Sequence, residues 1–162
     1  MKTASYQRTR WLTLIGTIIT QFALGSVYTW SLFNGVLSEK LGEPVSQVAF
    51  SFGLLSLGLA ISSSVAGKLQ ERFGVKRVTM ASGILLGLGF FLTAHSSNLM
   101  MLWLSAGVLV GLADGAGYLL TLSNCVKWFP ERKGLISAFA IGSYGLGSLG
   151  FKFIDSQLLA TV

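Results

Sequence analysis

Asp114 is the one acidic residue set well inside an apolar run of this chain. It lies fifteen residues after Leu99 and thirteen before Lys127, roughly 20 Å from either end if the run is helical. A carboxylate at that depth costs at least about 2.5–3.5 kcal/mol on insertion scales. It must therefore face protein or water and have a partner. Two kinds of chemistry suit it: carrying a proton, or accepting structural hydrogen bonds from hydroxyls on neighbouring helices. Tyr118 follows one turn later on the same side. Tyr28 and Tyr144 also fall within apolar runs. Tyrosine offers an apolar ring and one hydroxyl, and two or three around a cavity can hold a small planar carboxylate by stacking and hydrogen bonding. Gln21 and Tyr28 belong to a polar stripe, Thr13, Thr17, Gln21, Gly25 and Tyr28, whose steps of four and then three follow one helical face. Such a stripe either lines a water-filled cavity or bonds to adjacent helices. Gln21, Tyr28, Asp114, Tyr118 and Tyr144 are the candidate cavity residues. No metal-ligand spacing, Ser–His pair or phosphate loop occurs, and His95 and Cys125 are each the sole residue of their kind. The chain reads as non-enzymatic, with no cofactor and no metal.

The elements that must position these residues are membrane helices. The chain has 162 residues, 52% hydrophobic and only 11% charged, against about 25% charged in ordinary soluble domains. A span needs roughly 20 apolar residues to cross about 30 Å of hydrocarbon. Five are predicted, over about 11–33, 47–66, 78–95, 99–125 and 135–153, after a short terminus at 1–10. All must be helical, because an open strand edge in lipid leaves backbone groups unpaired. The fold class is therefore all-α integral membrane. Asn34-Gly35 and Gly42-Glu43-Pro44 are predicted breaks after the first span, His95-Ser96-Ser97-Asn98 after the third, and Phe129 to Gly134 after the fourth. The first apolar run is too long and too polar for a cleaved signal peptide.

Direction follows from the basic residues. With the N-terminus inside, Lys2, Arg8, Arg10, Lys68, Arg72, Lys76, Arg77, Lys127, Arg132 and Lys133 share the inner face, and only Lys40 and Lys152 the outer. These charges are split among short loops and form no continuous patch, which argues against nucleic acid as a partner despite a net charge of +6. Trp11, Trp30, Trp103 and Trp128 fall near span ends, where interfacial aromatics belong. Gly107, Gly111 and Gly115 form a ladder of small residues along one face of the fourth span, suited to close helix packing. Gly83 and Gly87 in the third span, and Gly142, Gly145, Gly147 and Gly150 in the fifth, are expected to pack in the same way.

The segment Gly67-Lys-Leu-Gln-Glu-Arg-Phe-Gly-Val-Lys-Arg77 lies between the second and third spans. Its charges exclude it from lipid, and it is predicted to form a short basic turn. It resembles the signature loop of the major facilitator superfamily, matching at Gly67, Leu69, Arg72, Phe73, Gly74 and Lys76, with Glu71 for the usual Asp, Gln70 for Ala and Val75 for Arg. Three further segments narrow the resemblance. Gly25-Ser-Val-Tyr-Thr-Trp-Ser-Leu-Phe33, Gly111-Leu-Ala-Asp-Gly-Ala-Gly-Tyr118 and Val126-Lys-Trp-Phe-Pro-Glu-Arg-Lys-Gly134 are similar to the corresponding segments of the oxalate/formate antiporter family, including its enterobacterial members associated with pyruvate. The fourth span lacks the Arg that many drug transporters of the superfamily carry there.

The resemblance implies five helices of a six-helix N-terminal bundle, with the sixth helix and the C-terminal half as missing partners. It implies a multi-pass protein of the bacterial inner membrane that moves a small carboxylate such as oxalate, formate or pyruvate by alternating access, with a proton as a possible co-substrate. Tyr28 and Tyr118 match aromatic positions expected near substrate. Gly67, Glu71, Arg72, Gly74, Lys76 and Arg77 match the loop that latches the two halves. The family's anion-binding basic residue comes from the C-terminal half. The competing reading is a small non-transporting scaffold or subunit in the lipid bilayer.

Overall fold

In hydrocarbon a backbone must bond to itself, and helices achieve this within one segment. The computed structural model describes residues 2–160, and they are helical nearly throughout. Thr161 and Val162, at the end of the predicted bundle, lie outside the described residues, as do Met1 and the side chains of Lys2 and Thr3. Helix α1 (Lys2–Leu24) tightens into a 3-10 segment, Gly25–Leu32, and the short α2 (Asn34–Leu41) follows. Then come α3 (Val45–Phe73) and α4 (Val75–Ala94). The one-turn α5 (Leu99–Leu102) passes through a π-helical segment, Trp103–Leu109, into α6 (Val110–Trp128). A 3-10 turn, Pro130–Arg132, leads to α7 (Lys133–Leu159). Among the described residues, five stretches are long and apolar enough to cross a membrane: Ala4–Leu32, Val45–Phe73, Val75–Ala94, Leu99–Trp128 and Pro130–Leu159.

Two predicted breaks turn out helical. Asn34 and Gly35 open α2 rather than ending the segment before it. The stop comes at Gly42, whose φ of 66° lies in the left-handed region, where a residue without Cβ is unstrained. The basic segment is not a loop either. Helix α3 continues to Phe73 and α4 starts at Val75, so Gly74 alone makes the turn, with φ 81° and ψ 151°. Lys, Arg, Glu and Gln are good helix formers. Their charge keeps these last turns out of hydrocarbon but does not unwind them.

The chain divides into two compact units. Trp30–Leu120 forms one of them. Here α3 packs on the π-helical segment and α6, and α4 packs beside them. A Cβ at Gly111 or Gly115 would fall on the carbonyl oxygens of Leu55 and Leu59, and one at Gly107 would lie 2.7 Å from Leu54 Cβ. Opposite them, Gly58 brings its own backbone against Gly111. The predicted ladder is thus a seam where two backbones touch. Trp30 is buried with Val48, Leu102 and Ala106, so this tryptophan is a core residue and not an interfacial anchor. Position near a span end had suggested the interface, but packing against α3 and α5 claims the ring. Gly83 and Gly87 of α4 face open space, whereas Gly89 meets Val110.

The other unit comprises the chain up to Thr29 and from Thr121 onward. Helices α1 and α7 pack together. A Cβ at Gly147 would fall on the carbonyl oxygen of Phe22, and one at Gly25 on that of Tyr144. Gly142 and Gly145, expected to pack, have nothing near them. Leu14, Cys125, Phe129 and Ile136 form a buried cluster. Arg10 pairs with Glu131 and lies 4.1 Å from the Phe129 ring centroid, which pins α1 to the chain just before α7.

Overpacking a close seam typically costs about 1–3 kcal/mol. Gly111→Leu should lower stability in detergent by at least about that much, while Gly83→Leu, in open space, should stay close to wild type. Unfolding by a denaturing detergent, followed by circular dichroism, checks the pair.

Candidate functional site

In the α1–α7 unit the predicted residues Tyr28 and Tyr144 come together, and Gln21 lies two turns before Tyr28. Gly25 lets the α7 backbone approach the 3-10 segment at the level of Tyr144. That approach seats Tyr144, 7% exposed, beneath Tyr28, which is 53% exposed. The two rings meet edge to face, centroids 5.4 Å apart and planes at 90°, the geometry favoured by the aromatic quadrupole. Gln21 is fully buried and its Nε2 donates to Thr121 Oγ1 at 3.1 Å. Thr17 Oγ1 points at the Thr121 carbonyl from 3.5 Å. At these two positions the polar stripe is thus used for interhelical bonding, and Tyr28 is its exposed member. On the next residue of the 3-10 segment, Thr29 Oγ1 donates to Asp155 Oδ2 at 2.6 Å.

Asp114 and Tyr118 belong to the 30–120 unit. Asp114 is fully buried and Tyr118 half-buried. The glycines at 111 and 115 press α6 onto α3 on either side of Asp114. Three serines reach the same level. Ser62 Oγ donates to the Leu112 carbonyl at 2.5 Å and Ser63 Oγ to that of Gly115 at 3.3 Å. Ser82 Oγ of α4 donates to the carbonyl of Ala113. These hydroxyl protons point at the backbone oxygens flanking the carboxylate. They reduce the negative potential around it and fix α6 in rotation.

Around the turn, Glu71, Arg72, Gly74, Lys76 and Arg77 are exposed. The Arg72 guanidinium carbon lies 5.3 Å from the Phe73 ring centroid. Glu71 makes no ion pair among the described residues. Gly67 has no neighbour that a Cβ would meet.

Thr121, Asp155 and the three serines escaped sequence reasoning. The run Ser62-Ser63-Ser64 inside an apolar span was the available signal, because hydroxyls at that depth need acceptors.

Five apolar spans, closely packed at glycines within each unit, define a multi-pass helical membrane protein. Residues 11–151 match the Major Facilitator Superfamily, and the chain belongs to that family, one of transporters and not of enzymes. It is 93% identical over all 162 residues to the Escherichia coli K12 protein "Uncharacterized MFS-type transporter YhjX", covering 40% of that protein. It is 26% identical over 151 residues to the oxalate:formate antiporter of Oxalobacter formigenes, covering 93% of this chain and 36% of the antiporter. Against mouse monocarboxylate transporter 9 the identity is 29% over 149 residues, 91% of this chain and 28% of the transporter. The chain thus spans less than half the length of these relatives.

Removing the Thr121 hydroxyl takes one acceptor from the buried Gln21 amide. Thr121→Val should lower stability by about 0.6–1.7 kcal/mol, the range of interhelical hydrogen bonds in membranes. Detergent unfolding checks it, with a Gln21→Leu/Thr121→Val double variant expected to recover part of the loss.

Proposed function

We propose that this bundle is part of a secondary active transporter of small organic anions that works by alternating access and couples to protons. The Tyr28–Tyr144 pair carries the reading. It offers an exposed aromatic face with a phenol, backed by a buried ring, within a membrane span. A planar monocarboxylate fits such a surface by stacking and one hydrogen bond. Relatives named for oxalate:formate exchange and for monocarboxylate transport support the same substrate class, with pyruvate within it. Asp114 serves as the proton-carrying carboxylate, in keeping with its depth and burial. Tyr118, on the same helix face, is its solute-facing neighbour.

The exposed Glu71, Arg72, Lys76 and Arg77 latch this bundle to a second one, supplied by the rest of a longer protein, and Gly74 holds the turn that presents them. Ten of the twelve Lys and Arg residues fall on one predicted face. This supports a cytoplasmic N-terminus, at the inner membrane of a bacterium. The 162 residues alone do not transport.

Proteoliposomes carrying the longer protein test the proposal. Labelled pyruvate, oxalate or formate should enter, and Tyr28→Phe or Tyr144→Phe should cut entry several-fold. Entry of none of these anions would favour the scaffold reading. Asp114→Asn should abolish uptake driven by a proton gradient while sparing exchange of labelled for unlabelled substrate. Unchanged gradient-driven uptake would remove the proton role.

A further inference from the structure

A second feature of the 30–120 unit lies outside the proposed solute path, though it shares Arg77 with the proposed latch. A groove of about 410 Å3 opens between α3, α4 and α6, beside the Gly74 turn. Its walls are apolar, with Leu69 and Phe73 from α3, Leu85 from α4 and Ala116 from α6. Two serines also line it, Ser62 and Ser82, but each already donates to a carbonyl of α6. The remaining polar group is the guanidinium of Arg77, which makes no hydrogen bond or ion pair among the described residues. From Phe73 back to Ser62 the groove follows eleven residues of α3, roughly 16 Å into the membrane at 1.5 Å per residue. In the 67–77 segment that runs past it, Lys68, Arg72, Lys76 and Arg77 outnumber a single acid, Glu71.

A ligand for this site must be hydrocarbon along most of its length and anionic at one end. We infer that the groove holds one acyl chain of an anionic phospholipid, whose phosphate sits on Arg77. Apart from Arg77 at one end, the lining has no free donor for a polar solute. The 67–77 segment beside it carries a net charge of +3, and basic residues at the membrane surface attract anionic lipid. The groove also opens from helices that lie in the source of that lipid. A bound lipid would brace α4 against α3 and α6 where α4 otherwise meets them through small residues such as Ala81 and Ser82.

Native mass spectrometry of the purified chain tests this, with phosphatidylglycerol or phosphatidylcholine added to the detergent. The chain should retain phosphatidylglycerol several-fold better than phosphatidylcholine. Arg77→Gln, at an exposed position, should remove that preference and leave phosphatidylcholine retention unchanged. Ala81→Trp, which fills the groove, should reduce retention of both lipids. Lys133→Gln, a basic residue of the other unit, should behave as wild type. Equal retention of the two lipids by the wild-type chain would overturn the inference, as would a preference that survives Arg77→Gln. Loss of retention in the longer protein would show that polypeptide covers the groove, and would overturn it too. None of these outcomes depends on the transported substrate.

Discussion

Backbone touches backbone in this protein wherever a side chain is missing, and that contact governs the rest. In lipid there is no hydrophobic gain in bringing helices together, so they associate by dispersion at close range and by hydrogen bonds. Gly58, Gly111 and Gly115 give α3 and α6 that range. Gly25 and Gly147 give it to α1 and α7. The seams also position the candidate polar residues near the glycines. Gly111 and Gly115 bracket Asp114. Gly25 lies three residues before Tyr28 and against the carbonyl of Tyr144. The same absence of Cβ therefore packs the helices and sets the candidate chemistry in place.

Hydroxyls finish what the glycines begin. Ser62, Ser63 and Ser82 bond to the carbonyls next to Asp114, and Thr121 takes the Gln21 donor. Each bond is weak alone, about 0.6 kcal/mol on average in a membrane protein. Within the 30–120 unit the three serines fix the rotation of α6 about its axis at the level of Asp114. Such a seam has few large interlocking side chains.

The all-helical class and the five spans were legible because hydrocarbon thickness sets a length and backbone chemistry leaves only helices. The Gly107, Gly111 and Gly115 ladder was legible from its spacing alone. Gly83, Gly87, Gly142 and Gly145 had a similar look and pack against nothing, since spacing shows which residues share a face but not whether a helix lies across from it. The 67–77 segment was read as a loop because charge and glycine both argue against lipid. Charge speaks to depth, however, and not to backbone conformation, and only Gly74 takes a non-helical φ. Trp30 was misplaced at the interface for a related reason, since position along a span does not show which way a ring turns. The Arg10–Glu131 and Thr29–Asp155 contacts join residues more than a hundred positions apart, beyond any local pattern. Of the candidate cavity residues, their depth in the membrane was readable, but the burial of Gln21 and the exposure of Tyr28 depended on how α1 meets α7.

The account rests on Tyr28 standing at a water-filled solute path and not against lipid. The most direct measurement is the reaction of a Tyr28→Cys variant, in a Cys125→Ser background, with a water-soluble thiol reagent in membranes containing the longer protein. The account predicts rapid labelling that slows when a small monocarboxylate is added, and no labelling at Ile84→Cys on α4. A Tyr28→Cys thiol that stays unlabelled, or whose labelling ignores every small carboxylate while Ile84→Cys reacts, would contradict it.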